Sequence, residues 1–149
     1  MILIKTIEQY DKNAIHFSES VKNKIINDGT FIRITYSTPM FTLNGLYILI
    51  ILRNTHNDNE YNKSKYNYNF CTLTNKTHID NIMSMENDLL RKIEIHNKSP
   101  KYNVAEQLKK GFIKKNNDLI NYNSNLILKI SGIWETETEY GLTYKFLFL

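Results

Sequence analysis

Near the C-terminal end of the sequence, apolar residues fall at every second position in two separate runs. In the first, Leu126, Leu128 and Ile130 alternate, with Lys129 and Ser131 in the polar places. In the second, Leu142, Tyr144, Phe146 and Phe148 alternate, with Thr143 and Lys145 between them. A period of two over this length predicts strands with one buried face. The connection Glu135–Glu139 carries three carboxylates and precedes Tyr140-Gly141, where glycine supplies the backbone freedom of a bulge or tight bend. The pattern is a β-hairpin with Trp134 at the end of its first strand.

The same reading applies upstream. Ile2–Ile7 fits a short strand, and 15–27 is mixed and poorly periodic up to the turn signal Asn27-Asp28-Gly29. Thr30–Ser37 alternates Ile32, Ile34 and Tyr36 against Phe31, Arg33 and Thr35. Thr38-Pro39 interrupts the sheet, and Asn44-Gly45 predicts a hairpin turn. Leu46–Arg53 is apolar on both faces, as in a central strand, with Tyr47 at its rim. Asn54–Asn67 is polar and reads as a loop, and Asn67–Thr74 as a strand. Thr77 is a candidate N-cap for an amphipathic helix of about four turns, in which Ile79, Ile82, Met83, Leu89, Leu90 and Ile93 recur at helical spacing. Ser99-Pro100 ends that helix. Asn103 caps a second through Lys110, with Gly111 as its stop. Phe112–Lys114 is extended.

Composition narrows the class. A chain of 149 residues with 42% hydrophobic and 23% charged residues fits one globular domain, 1–149. One cysteine, Cys71, allows no internal disulfide and no multi-cysteine metal cluster, and its apolar surroundings read as a buried thiol. The opening apolar run is too short for a signal peptide or anchor, so a soluble protein with no membrane association is expected. A net charge of +4 and a pI near 9.0 suggest an anionic partner. Asn, Lys, Ile and Tyr are all abundant, as AT-rich codons favour. Lysine position therefore carries more information than lysine number.

Chemistry is sparse. There is no glycine-rich phosphate loop or dinucleotide fingerprint. His16, His56, His78 and His96 are scattered without metal-ligand spacing. Glu135, Glu137 and Glu139 read as a solvated turn. No catalytic residue, metal or cofactor is expected, and the chain does not read as an enzyme. What stands out is aromatic residues, 12% of the chain, interleaved with cations. Rings that stack on exposed bases and cations that follow phosphates are the means of binding single-stranded nucleic acid.

The segment KISGIWETETEYGLTYKF resembles the C-terminal signature of the OB-fold single-stranded DNA-binding proteins of large DNA viruses, related phages and yeast cytoplasmic linear plasmids. Gly132, Trp134, Tyr140, Gly141 and Tyr144 carry the likeness. Ala105–Ile113 resembles a helix-to-strand segment upstream of that signature. The two cover roughly a quarter of the chain. The resemblance implies a mainly β protein with one or two helices, a five-stranded Greek-key OB barrel with a helix between strand groups. It further implies non-sequence-specific binding that protects single-stranded DNA during replication, in the host cytoplasm or at a viral replication site. Replication proteins are then further partners, and a homo-oligomer is open to it. Several such proteins end in an acidic tail that recruits partners. Lys145–Leu149 is apolar instead, a departure from that pattern.

Candidate nucleic-acid contacts are Phe31 with Arg33 on one strand face, and Tyr47, Tyr66 and Tyr68 for stacking. Lys63, Lys65, Lys109, Lys110, Lys114 and Lys129 are candidates for phosphates. Trp134 fits either a stacking ring or a core side chain, whereas Tyr144 and Phe146 share parity with Leu142 and read as core. Two other readings remain: a protein-interaction or scaffold module with the same barrel, and an RNA-binding protein.

Overall fold

The long strand that begins at Leu126 organises the molecule, whose computed structural model describes residues 3–25, 29–52, 65–68, 72–114 and 126–148. In chain order the elements are β1 (Ile4–Lys5), two 3-10 turns, β2 (Ile15–Phe17), β3 (Val21–Lys22), β4 (Thr30–Ser37), β5 (Thr42–Asn44) and β6 (Leu46–Ile50). Then come β7 (Lys65–Asn67), α1 (Leu73–Ile93), β8 (Ser99–Lys101), α2 (Asn103–Lys109), β9 (Phe112–Lys114), β10 (Leu126–Glu135) and β11 (Glu139–Phe148).

The C-terminal hairpin forms as the alternation predicts. β10 pairs with β11 antiparallel from Leu126↔Phe148 to Glu135↔Tyr140. On its other edge β10 changes partner: 126–130 pair with β6, and 132–135 pair with β4. A register shift between Ile130 and Gly132 marks the change, so the expected bulge lies in β10 and not at Gly141. The extra residue reverses parity. Leu126, Leu128 and Ile130 face the core before it, and Ile133 faces the core after it. Each buried aliphatic side chain is worth about 1.5–3 kcal/mol, and a one-residue slip would turn this whole set outward.

Asn44-Gly45 does not make a hairpin. β5 pairs back onto β4 across 38–41, whereas β6 leaves to pair with β1 and β10. Gly45 is the corner between them, at φ +94, where its N–H donates to the Ile34 carbonyl. A Cβ there would lie 2.9 Å from the Ile130 carbonyl oxygen. β6 is central, as its two-sided apolar character predicts.

The sheet is mixed, with strand path β1-β6-β10-β11-β8 and parallel pairs at β1·β6 and β11·β8. It does not close on itself, so a closed five-stranded barrel is not shown. Among the described residues, no strand pairs with the outer edge of β11 beyond Gly141. The mainly β character with two helices, the longer set between the strand groups, agrees with expectation.

The helices cover the sheet's inner face. α1 buries Ile79, Ile82, Met85, Leu89 and Leu90, and α2 buries Val104 and Leu108. α1 begins at Leu73, earlier than the pattern suggests, because its first turn is polar and carries no apolar period. Thr77 is inside it, with Oγ1 donating to the Leu73 carbonyl at 2.9 Å, so it is no cap. Ser99-Pro100 belongs to β8, after the helix has already ended at Ile93. Residues 65–67, read as loop, form β7 and pair with β9; of the described residues in the expected strand over 67–74, Asn67 alone is in a strand, and 73–74 belong to α1. Cys71 lies outside the described residues. No helix among them is long and apolar enough to cross a membrane.

Candidate nucleic-acid interface

A groove of about 1200 Å³ runs along the open edge of β11. Its floor comes from both faces of the sheet: Phe31, Arg33, Trp134 and Lys145 from the outer face, Tyr144 and Phe146 from the inner. α2 and β9 supply one wall through Lys110, Phe112 and Lys114. The stretch from Val21 to Ile25 supplies the other, with Lys22 and Lys24. Six cations therefore line it against one carboxylate, Glu106. Among the described residues, none of the six enters an ion pair.

Local sequence explains the placement of each ring. The bulge after Ile130 puts Trp134 on the outer face, directly opposite Phe31 of β4 and Gly141 of β11. Neither Phe31 nor Trp134 packs against the core cluster. Tyr144 is half-buried, and its hydroxyl donates to Gln107 Oε1 at 2.6 Å and approaches the Asn103 carbonyl at 3.2 Å, which ties β11 to α2. Burial, with the nearby Glu86 and Glu106 carboxylates, pushes its phenol up to about 12. Tyr144 and Phe146 meet edge to face, 5.7 Å between centroids.

α2 is held from outside itself. The Glu86 carboxylate accepts from the backbone N–H of Val104 and of Ala105, both at 2.9 Å. Asn103 is the first helical residue and not the cap, and Tyr102 at the N-cap position makes no side-chain cap bond. Glu86 thus satisfies first-turn donors that no i→i−4 bond can reach.

The acidic turn is not simply solvated. Glu135 accepts from Lys98 and from Thr30 Oγ1, and its carboxyl is held below the usual range chiefly by the Lys98 bond. Glu139 pairs with Lys101 at 3.5 Å. Two of the three turn carboxylates beside the groove are thereby balanced.

Of the residues expected to bind, Phe31, Arg33, Lys110, Lys114 and Trp134 come together in the groove. Lys129 stands outside it, opposite Lys145, with its Nζ 5.7 Å from the ring centre of Tyr47. Tyr47 is buried, 9% exposed, beneath that lysine rather than presented at a rim. Tyr68 is also buried, its hydroxyl donating to the Leu108 carbonyl. Lys109 is exposed on α2 and does not line the groove. Lys63 lies outside the described residues. For Lys65 and Tyr66 the strand is described and the side chains are not. Lys22, Lys24, Phe112 and Lys145 were not singled out by the sequence. For Lys145 a signal existed, since it alternates with the inward residues of β11.

Among the described residues, no cluster of three or more His, Cys, Asp or Glu side chains is placed to hold a metal ion. Comparison with protein-family models, with curated proteins and with solved structures gives no match for this chain.

Proposed function

We propose that this protein binds single-stranded DNA without sequence preference and protects it during replication, with the groove along β11 as its site. The observation that carries the reading is the lining: six cations, one carboxylate, and the rings of Phe31, Phe112, Trp134, Tyr144 and Phe146. Bases stack on rings at about 1–3 kcal/mol each, and cations neutralise the phosphates between them. Neither contact depends on base identity. The mixed sheet with a bulged central strand and a helix beneath is compatible with an OB-type barrel opened at β11. Replication proteins are the expected partners, and the compartment is the cytoplasm or a viral replication site.

Titration with oligo-dT tests the reading, because Trp134 is the chain's one tryptophan and lies in the site. Its emission should quench on binding. Affinity should fall with salt at about 0.7 log units per log unit for each phosphate contacted, so six cations cap the slope near 4. Lys110→Glu with Lys114→Glu should weaken binding and flatten that slope. Absence of both quenching and a gel shift in dilute buffer would overturn the assignment. Competition between oligo-dT and oligo-U decides between DNA and RNA. A second reading is a protein-interaction module that takes up a partner's strand along Leu142–Leu147 of β11, where, among the described residues, no further strand pairs. That reading gains if oligonucleotides leave the emission unchanged.

A further inference from the structure

Two glycines of the hairpin lie close against the two outer-face rings of the groove floor. A Cβ on Gly141 would come within 2.8 and 2.9 Å of Cζ2 and Cε2 of Trp134. One on Gly132 would come within 2.6 and 2.7 Å of Cζ and Cε2 of Phe31, and within 2.2 Å of the Ile32 carbonyl oxygen. Neither glycine has a positive φ. Backbone conformation therefore does not require glycine at either position; the space above each Cα does, filled by an aromatic ring together with the Ile32 carbonyl at Gly132 and the Lys101 carbonyl, 3.0 Å away, at Gly141.

The register puts both rings on one face of the sheet. Trp134 pairs with Phe31 on one side and with Gly141 on the other, and Gly132 pairs with Arg33 and with Thr143. Directly opposed side chains on adjacent strands start about 5 Å apart. Both rings are half-buried, both line the groove, and neither belongs to the core. The atoms nearest the glycines are Cζ2 and Cε2 of Trp134 and Cζ and Cε2 of Phe31, so a side chain at 141 or 132 would displace the ring beside it.

We infer that Gly132 and Gly141 are positioning residues that seat Phe31 and Trp134 flat, forming a two-ring platform on which bases of a single strand stack. The inference rests on the single-strand reading of the groove and adds to it the means by which the rings are oriented. Neither glycine touches the nucleic acid.

The test uses the full chain in four forms: wild type, Gly141→Ala, Trp134→Leu and the double variant. Affinity for oligo-dT and thermal melting are read for each, and quenching of tryptophan emission for wild type and Gly141→Ala, the two forms that keep Trp134. Gly141→Ala should lose on the order of tenfold in affinity, one stacking contact, with a reduced quench. In the Trp134→Leu background the same alanine should cost nothing further, since the ring it displaces is gone. A Gly141→Ala variant that binds and quenches like wild type overturns the inference. So does a loss that persists in full in the Trp134→Leu background, because the glycine then acts through the backbone. If Gly141→Ala does not fold, a folded double variant supports the seat and an unfolded one overturns it. Wild type that ignores oligo-dT defeats the single-strand reading itself, an outcome distinct from these.

Discussion

Removing the Glu86 carboxylate should loosen α2 and with it one wall of the groove. Glu86 is fully buried, and both of its oxygens accept backbone N–H groups of the first turn of α2. Glu86→Ala leaves both donors buried and unpaired at about 1–3 kcal/mol each, offset in part by relief of a desolvated charge, for a net loss of about 2–4 kcal/mol. In a chain of this size each kcal/mol moves Tm by about 2–4 °C, so the midpoint should fall on the order of 10 °C. Glu86→Gln keeps one acceptor and turns an amide N–H toward the second donor, so it should lose roughly half as much. Its pH dependence has a definite sign. Burial raises the Glu86 carboxyl above its ordinary value, with the Ala105 and Val104 bonds opposing and Glu106 adding. A folded-state value above the unfolded one means the native state holds the proton more tightly. This contribution is then fully present below the ordinary value of 4.5 and is lost as pH rises through the folded value. Thermal melts followed by circular dichroism from about pH 4 to about pH 8 should show wild type losing stability relative to Glu86→Gln as pH rises. A relative gain with pH would mean that the bonds to the ionised carboxylate outweigh its burial. A Glu86→Ala variant melting with wild type would mean that α2 is held by something else.

Two further outcomes follow from groups outside that cap. His78 Nε2 accepts the Ile51 N–H at 3.0 Å, and burial lowers its pKa below the ordinary 6.5, with Glu8 acting the other way. Its contribution is complete above about pH 6.5 and is lost as pH falls through the folded value. His78→Gln keeps an acceptor, does not titrate and should remove that part of the melting slope; an unchanged slope would clear His78 of the role. Lys145 faces Lys129 across the hairpin, and Lys145→Glu turns a like-charge pair into an opposite one worth about 0.2–1 kcal/mol. The variant should melt slightly higher yet bind oligo-dT more weakly with a flatter salt slope, and undiminished binding would take Lys145 off the surface.

Elements whose neighbours in sequence are also their partners in space were legible from pattern. The β10–β11 hairpin, the two faces of β4 and the Gly111 stop of α2, at φ +81, all depend on nearby residues. Errors arose where a distant group supplied what local chemistry suggested. Thr77 and Asn103 look like caps, but α1 starts before the first, and Glu86 does the work of the second. Gly45 looks like a hairpin turn, but β6 finds a better partner in β10 and the glycine becomes a corner.

The site was half legible for a similar reason. Strict alternation from Leu126 would carry Trp134 into the core, and a single inserted residue at the bulge sends it to the groove instead. Nothing in the run LILKISGIW marks which residue is extra, because the shift answers to a change of neighbour from β6 to β4. The lysine excess had the same ambiguity, and the fold sorts the lysines by what each one touches. Lys98 and Lys101 are engaged with turn carboxylates, and Lys92 Nζ donates to the Lys12 carbonyl. The groove cations come from β3 and the residues after it, β4, the C-cap of α2, β9 and β11, and among the described residues none of them enters an ion pair. A codon bias would scatter such residues over the surface. On the proposed reading, an extended polyanion with exposed bases would use such a convergence of cations and rings in one groove.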